Sequence, residues 1–311
     1  MIEALRQSAI IQSTESSNRI EGVVAPHDRI KELVAGRTKP QNRSEQEIAG
    51  YRDVLTTIHT RHQHIPLSSN VVLQLHRDLY KFVPGQGGRW KAGDNTITEK
   101  RADGSEVVRF TPVAAHRTSQ AMDDLHARFN AAWQAGDVDR LLLIGAYVLD
   151  FLCIHPFTDG NGRMARLLTL LLLYKAGYEV GRYISLETMV EQHKDGYHDA
   201  LYSSSQGWHE GKHSLTPWWQ FLLGVNLLAA YQEFEQRVGS HTARRGAKRQ
   251  LIVDAVDRLP KHFRYADLER ACPAVSRPTI NRVLAELRRK RRIACVKAGR
   301  DATWEKRDRK R

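Results

Sequence analysis

Within twelve residues, His155-Pro-Phe157-Thr-Asp159-Gly160-Asn161-Gly162-Arg163-Met-Ala-Arg166, the chain gathers a base, a metal-seeking carboxylate, a glycine-flanked turn and two arginines. Together they are equipment for handling a polyphosphate. Glycines at 160 and 162 permit φ > 0 and a close approach of backbone to ligand. Successive N–H groups there, opening a helix at the positive end of its dipole, form an anion-binding nest. Arg163 and Arg166 stand three apart, so on a helix they share a face and can clamp oxygens further along the same chain of phosphates. Asp159, at the mouth of the nest, suits Mg²⁺, which takes one carboxylate plus phosphate oxygens. His155 stands where an incoming hydroxyl can lose its proton. Each residue alone has a plainer explanation, a histidine cap or a common Asp-Gly-Asn-Gly turn, so the weight falls on their joint spacing.

Two apolar elements must hold this loop. Residues 141–154, LLLIGAYVLDFLCI, are too apolar for a surface element, and 164–175, MARLLTLLLLYK, are apolar nearly all round. Both patterns predict buried helices. Ser68 predicts an N-cap for a helix from about Val71 to Phe82, with Val72, Leu75, His76 and Leu79 inward. Residues 37–45 read as a polar loop, and Pro217 to Phe234 as another apolar helix.

The loop resembles the signature of the Fic family, HxFx(D/E)GNGRxxR, and matches it at every specified position. The resemblance implies a mainly α fold: a helical bundle core with a β-hairpin flap. It implies transfer of a nucleotide monophosphate, usually AMP from ATP with Mg²⁺, onto a Ser, Thr or Tyr hydroxyl of a protein target. In that frame His155 is the general base, Asp159 the Mg²⁺ ligand, and Gly160, Asn161 and Gly162 the phosphate cradle. Arg163 and Arg166 hold the outer phosphates, and Phe157 plugs the core. Family members with an inhibitory helix carry (S/T)xxxE(G/N), which Ser17, Glu21 and Gly22 match. Glu21 against Arg166 would then occupy the arginine meant for the γ-phosphate. Asn95 to Phe110, around Ala102-Asp103-Gly104, reads as a hairpin. By resemblance it is the flap against which the target lies as an added strand, and otherwise a solvent-exposed hairpin without a partner. Tyr197 falls near the expected adenine site, although Gly196 replaces an aromatic expected there.

Charge divides the chain. Residues 241–311 hold 22 Lys+Arg against 8 Asp+Glu, a net of +14, so the first 240 residues are nearly neutral. A polar stretch at 236–249 marks the boundary. Beyond it the patterns predict helices at Leu251–Leu259 and Tyr265–Ala271, and a third capped by Ser276, with Pro278 in its first turn, running to Arg292. Strands follow at 293–296 and 302–304 around a turn at 297–301. That order is a winged helix-turn-helix. Arg277, Thr279, Asn281 and Arg282 would open the recognition helix toward duplex DNA, although such units also serve as protein-contact modules.

Cys153, Cys272 and Cys295 form no even framework and no metal-ligand spacing, and the 14 histidines are scattered. Free thiols without a signal sequence fit the cytoplasm, and no apolar run suffices to span a membrane. The expected organisation is therefore an inhibitory region at 1–50, a catalytic core at 51–238 with flap 94–111 and motif 155–166, and a winged helix at 250–311. The expected function is a protein adenylyltransferase autoinhibited by Glu21, with itself and a homodimer partner among its possible protein contacts. The alternatives are a DNA-binding transcriptional regulator whose nucleotide domain senses ATP or self-modifies, and a related enzyme using another donor.

Overall fold

A computed structural model describes residues 2–85, 87–100, 104–239, 247–273, 275–297, 299 and 302–307. Its centre is the pair predicted from apolarity: α6 (Arg140–Ile154) and α7 (Asn161–Lys175), joined by the polar loop. Leu167, Leu168 and Leu170 to Leu173 are all buried, so α7 is enclosed on every side, as a helix without a polar face must be. Asp139 caps α6 by accepting from the Leu141 N–H at 2.8 Å.

Around this pair pack α3 (Arg43–Arg61), α4 (Ser69–Leu79), α5 (Thr118–Ala135), α8 (Leu186–Gln192) and α9 (Lys194–Ser205). Ser68 caps α4, and Val72, Leu75, His76 and Leu79 are its buried residues; the helix ends at Leu79, short of the expected Phe82. Two helices precede α3 in the chain, the long α1 (Ile2–Ile20) and the short α2 (His27–Val34). Because α3 is one continuous helix, it runs through the boundary expected between residues 50 and 51, and it begins inside the loop expected at 37–45.

Pro217 to Phe234 is not a plain α-helix. The chain passes from α10 (Thr216–Trp219) through a π segment, Gln220–Leu228, into α11 (Ala229–Gly239). Apolar spacing cannot distinguish a widened turn from an ordinary one.

β1 (Ile97–Lys100) and β2 (Glu106–Phe110) pair antiparallel as the hairpin pattern requires, with a register shift between Ile97 and Thr98. The expected turn residues Ala102 and Asp103 lie outside the described residues, as does 240–246 of the boundary stretch.

Beyond it come α12 (Ala247–Arg258), β3 (His262–Arg264), α13 (Tyr265–Ala271), α14 (Arg277–Arg289), β4 (Ile293–Lys297) and β5 (Thr303–Lys306). The sheet order is β3-β5-β4, antiparallel throughout. Ile252, Val256, Phe263, Leu268, Ile280, Leu284 and Ile293 build a core of their own. Three residues of β3 are too few to show alternation, and the sequence pattern missed them. Helix α14 stops three residues before the expected Arg292, because Arg291 turns left-handed at φ 56° and the Arg292 N–H closes on the Leu287 carbonyl. The Ser276 hydroxyl makes no cap bond and faces Thr279 Oγ1 at 3.1 Å. Residues 298, 300 and 301 of the expected turn lie outside the described residues. No helix among the described residues is long and apolar enough to cross a membrane.

Three buried histidines make this fold acid-sensitive. Burial pushes His59 down to about 3, and His76 and His126 down to about 4. The folded chain keeps them neutral while the unfolded chain takes up protons below about pH 6.5. Stability is therefore complete above that pH and falls as pH drops toward 4, each histidine contributing about 1.4 kcal/mol per pH unit in the window. Melting temperature measured from pH 7 to 4.5 should fall steeply, and His126→Phe should flatten the slope. A pH-independent melting temperature would contradict the assignment.

Candidate active site

Gly160 sits before α7 with φ +83°, and a side chain there would press on the Tyr80 ring at 3.0 Å. Only glycine fits both demands. Asn161 ties the loop in both directions: its Oδ1 accepts from the Phe157 N–H at 2.9 Å and its Nδ2 donates to the Phe157 carbonyl at 2.7 Å. Phe157 is fully buried and stacks on His76 with ring centroids 3.6 Å apart. His76 Nδ1 accepts from the Gly88 N–H at 3.0 Å, which fixes the proton on Nε2, and Nε2–H donates to the Asp159 carbonyl at 3.0 Å. The loop is thus rigid before any ligand arrives. His76 was read from the sequence as mere lining; only its hydrogen bonds reveal that it holds the loop.

His155 ends α6 in the left-handed region, φ 51° and ψ 62°. Its Nδ1 lies 3.3 Å from the Leu152 carbonyl, so Nδ1 carries the proton and Nε2 offers a lone pair. Burial, with the Lys91 charge adding, pulls its pKa to about 4, so the ring is neutral at physiological pH. Buried Lys91 donates to the Ile154 carbonyl and to Asn95 Oδ1, and burial lowers it to about 8. It closes the C-terminal end of α6 behind the imidazole.

The two arginines part company. Arg163 is 1 % exposed and points away from the cleft, donating to Glu47 Oε2 at 2.7 Å and the Tyr80 hydroxyl at 2.6 Å. Of the two arginines expected to hold phosphates, Arg166 lines the cleft and Arg163 does not. Residues three apart on a helix differ by about 60° around its axis, enough to send one inward between α3 and α4. Arg166 donates Nε–H to Ser17 Oγ at 2.8 Å, and Nη2 to the Ser17 carbonyl at 2.9 Å and to Glu21 Oε1 at 2.7 Å.

Glu21 reaches that position because α1 ends there. The Val23 N–H bonds the Asn18 carbonyl, the Gly22 N–H bonds the Arg19 carbonyl, and Gly22 is left-handed at φ +78°, a Schellman stop that presents Glu21 outward. A Cβ on Gly162 would lie 2.2 Å from Glu21 Oε1. The carboxylate therefore rests on the first turn of α7, where an anion is favoured. Burial raises its pKa, but the Arg166 charge and hydrogen bond, helped by Arg163 and His198, outweigh that and hold it below the ordinary value. Burial would lower Arg166, and Glu21 reverses it, so the guanidinium stays charged.

These groups share one cleft of about 580 Å³, lined by Glu21, His155, Gly162, Arg166 and the flap residues Ile97, Thr98, Arg109 and Phe110. Asp159 stands exposed at the loop, one carboxylate oxygen accepting from the Gly160 N–H at 2.6 Å. Among the described residues no group of three or more His, Cys, Asp or Glu side chains surrounds it. Tyr197 is only 4 % exposed, its ring enclosed edge-on by Trp218 and Phe221. It supports the wall and offers little ring face to a base. Tyr202, which the sequence reading passed over, is exposed at the cleft beneath the Arg109 guanidinium, 4.3 Å from its ring centre.

In the basic C-terminal part, Asn281 and Arg282 are exposed on α14 and Thr279 is half-buried. Arg277 is held by Glu269 at 2.7 Å and by Asp28 of α2 at 2.9 Å, so it is committed within the chain.

Residues 66–173 match the family described as Fic/DOC. Over 117 residues the chain is 32 % identical to the protein adenylyltransferase fic-1 of Caenorhabditis briggsae, a match covering 37 % of this chain and 21 % of that protein. The Caenorhabditis elegans protein of the same name is 31 % identical over 118 residues. The chain thus spans about a fifth of the length of these curated relatives. A Fic family protein from Desulfovibrio desulfuricans G20 superposes with a TM-score of 0.60 at 18 % identity, over 98 % of this chain and 88 % of that one. A Fic domain containing signaling protein from Bacteroides thetaiotaomicron gives 0.63 at 19 %, over 78 % and 92 %. At such identities the likeness is one of fold, and the fold is the mainly helical one expected.

The inward turn of Arg163 has a measurable consequence. Its pair with Glu47 is buried on both sides, 1 % and 5 % exposed. Removing one partner strands a buried charge, which costs about 3–5 kcal/mol. Glu47→Ala should lose about that much in urea unfolding; unchanged stability would mean that Arg163 is not a scaffold residue.

Proposed function

Given that this chain carries a Fic/DOC-family domain across residues 66–173, we propose that it is a protein adenylyltransferase, moving AMP from ATP to a Ser, Thr or Tyr hydroxyl of a protein target and held inactive by Glu21. The observation that carries this reading is the Glu21 carboxylate on Arg166 and Gly162, an anion of the chain's own seated where a phosphate would bind. The adenylyltransferase activity named for the fic-1 relatives supports the reaction class.

In this reading the substrate oxygen attacks the α-phosphorus, its proton passes to His155 Nε2, and the bond to the β-phosphate oxygen breaks with pyrophosphate leaving. The N–H groups at Gly160 to Gly162 and the freed Arg166 guanidinium hold the phosphates in line, and such positioning and charge neutralisation supply most of the barrier reduction. Asp159 would hold Mg²⁺ together with phosphate oxygens, a fit to its exposed carboxylate standing without other acidic ligands. That ion, when bound, neutralises the phosphate charge. His155 is neutral before substrate binds, and the arriving polyphosphate raises its basicity. The outer edge of the two-stranded flap offers main-chain groups to an extended target segment.

For the C-terminal part we propose a winged helix that contacts duplex DNA. Arg282, Arg288 and Arg289 are exposed along α14, the last two beside Trp304 of β5, and support phosphate contact. A cytoplasmic setting accords with the free cysteines.

Wild type, Glu21→Gly and Glu21→Gly/His155→Ala, each incubated with Mg²⁺ and ATP, should differ in intact mass. An AMP adduct is expected on the first variant, little on wild type and none on the double variant. Equal labelling of wild type and Glu21→Gly would remove the autoinhibition, and labelling of the double variant would remove His155 as base. Other nucleotides in parallel test the donor. Duplex DNA affinity should fall steeply with salt; a salt-independent or absent interaction would leave the C-terminal part without this role.

A further inference from the structure

Arg166 and Tyr197 line both the cleft that contains His155 and a second, smaller cavity on their far side. No other residue lines both, so these two side chains are the partition between them. The rear cavity leaves about 20 Å³ for the centre of a water molecule, more than the roughly 10–15 Å³ that one water needs. Leu170 and Leu222 make its walls largely apolar, with Thr169 and Glu187 also on the lining, and Asn226 enters it from the π segment. Asn226 is 4 % exposed and its Oδ1 has no hydrogen-bond partner. Nη1 of Arg166, on the partition, is likewise buried without one, and the Tyr197 hydroxyl faces the guanidinium. A partnerless amide oxygen among leucines is unfavourable, and π turns concentrate at functional sites.

The hydrogen bonds of Arg166 to Ser17 Oγ, the Ser17 carbonyl and Glu21 all come from α1 and its end. Were α1 to shift to admit a phosphate, the arginine would lose these acceptors together and keep the facing Tyr197 hydroxyl. A second anchor independent of α1 would help keep it aimed at the nest.

We propose that the rear cavity holds one ordered water, which donates to Asn226 Oδ1 and accepts from the partition, making Asn226 a positioning residue for Arg166. This rests on the reading of Arg166 as the phosphate-binding arginine. A crystal structure of the full chain carrying Glu21→Gly, at a resolution that orders internal water, should show that water within hydrogen-bond distance of Asn226. By calorimetry with ATP and Mg²⁺, Asn226→Leu in the same background should bind about five- to tenfold more weakly, with a melting temperature unchanged or higher, while Asn226→Asp, which keeps the acceptor, restores most of the affinity. A purely structural role would instead lower the melting temperature and leave affinity alone. A dry cavity, or equal ATP affinity in the leucine variant, overturns the proposal. If Glu21→Gly binds no ATP, the adenylyltransferase reading fails separately, and the water and the Arg166 orientation in crystals with and without Asn226→Leu still decide this one.

Discussion

The buried guanidinium of Arg166 must have an anion, and the arrangement of the first half of the chain follows from that requirement. At 6 % exposure a positive charge without a partner would be strongly unfavourable. The chain supplies Glu21 from the end of α1, where the helix dipole disfavours a carboxylate, and sets it on the start of α7, where the dipole favours one. The contact is stable because it satisfies both charges. In the proposed reaction a phosphate oxygen would take the place of the carboxylate on Arg166, and Glu21 would move out to water.

The proposed exchange would require α1 to yield, and much of its inner face is polar. Its buried residues include Ser13, Thr14, Ser16, Ser17 and Asn18, and it is tied to the core by hydroxyl contacts such as Ser13 to Ser185 and Ser16 to Thr188, each 3.0 Å. Hydroxyl pairs contribute about 1 kcal/mol each, because water replaces them on release. By contrast α7 is enclosed by leucines and the loop before it is fixed by Asn161, His76 and the Arg163–Glu47 pair. The wall at α7 is closed by apolar packing, whereas α1 combines buried Leu5 and Ala9 with polar contacts, among them the Arg19–Glu191 pair at 2.8 Å.

How far the sequence could be read follows from the range of each signal. The helices around the loop were legible because burial on all sides leaves an unbroken apolar run, whereas Glu21 was singled out by the family resemblance, since its spacing alone fits any polar helix end. The inward turn of Arg163 was not legible, since a spacing of three cannot say which of two neighbours meets Glu47, a residue more than a hundred positions away. The support given by His76, the enclosure of Tyr197 and the π turn at Asn226 are likewise tertiary facts, set by partners distant in sequence. β3 is shorter than any alternation can mark.

Helix α1 also touches the C-terminal part, and the magnitudes there decide how any influence could pass. The Arg277–Asp28 pair is more than half exposed on both sides, so screening leaves it at most about 1 kcal/mol. Gln12 reaches the Arg270 carbonyl at a long 3.4 Å. Neither contact alone could hold or release Glu21. But α1 is one rigid rod, and its hydroxyl contacts are individually weak, so a partner that moved the C-terminal part would act on their sum. Pulling α12 to α14 away from α1 and α2 would remove the contacts at Gln12 and Asp28 and leave the Glu21–Arg166 pair to the contacts of α1 with the rest of the first half.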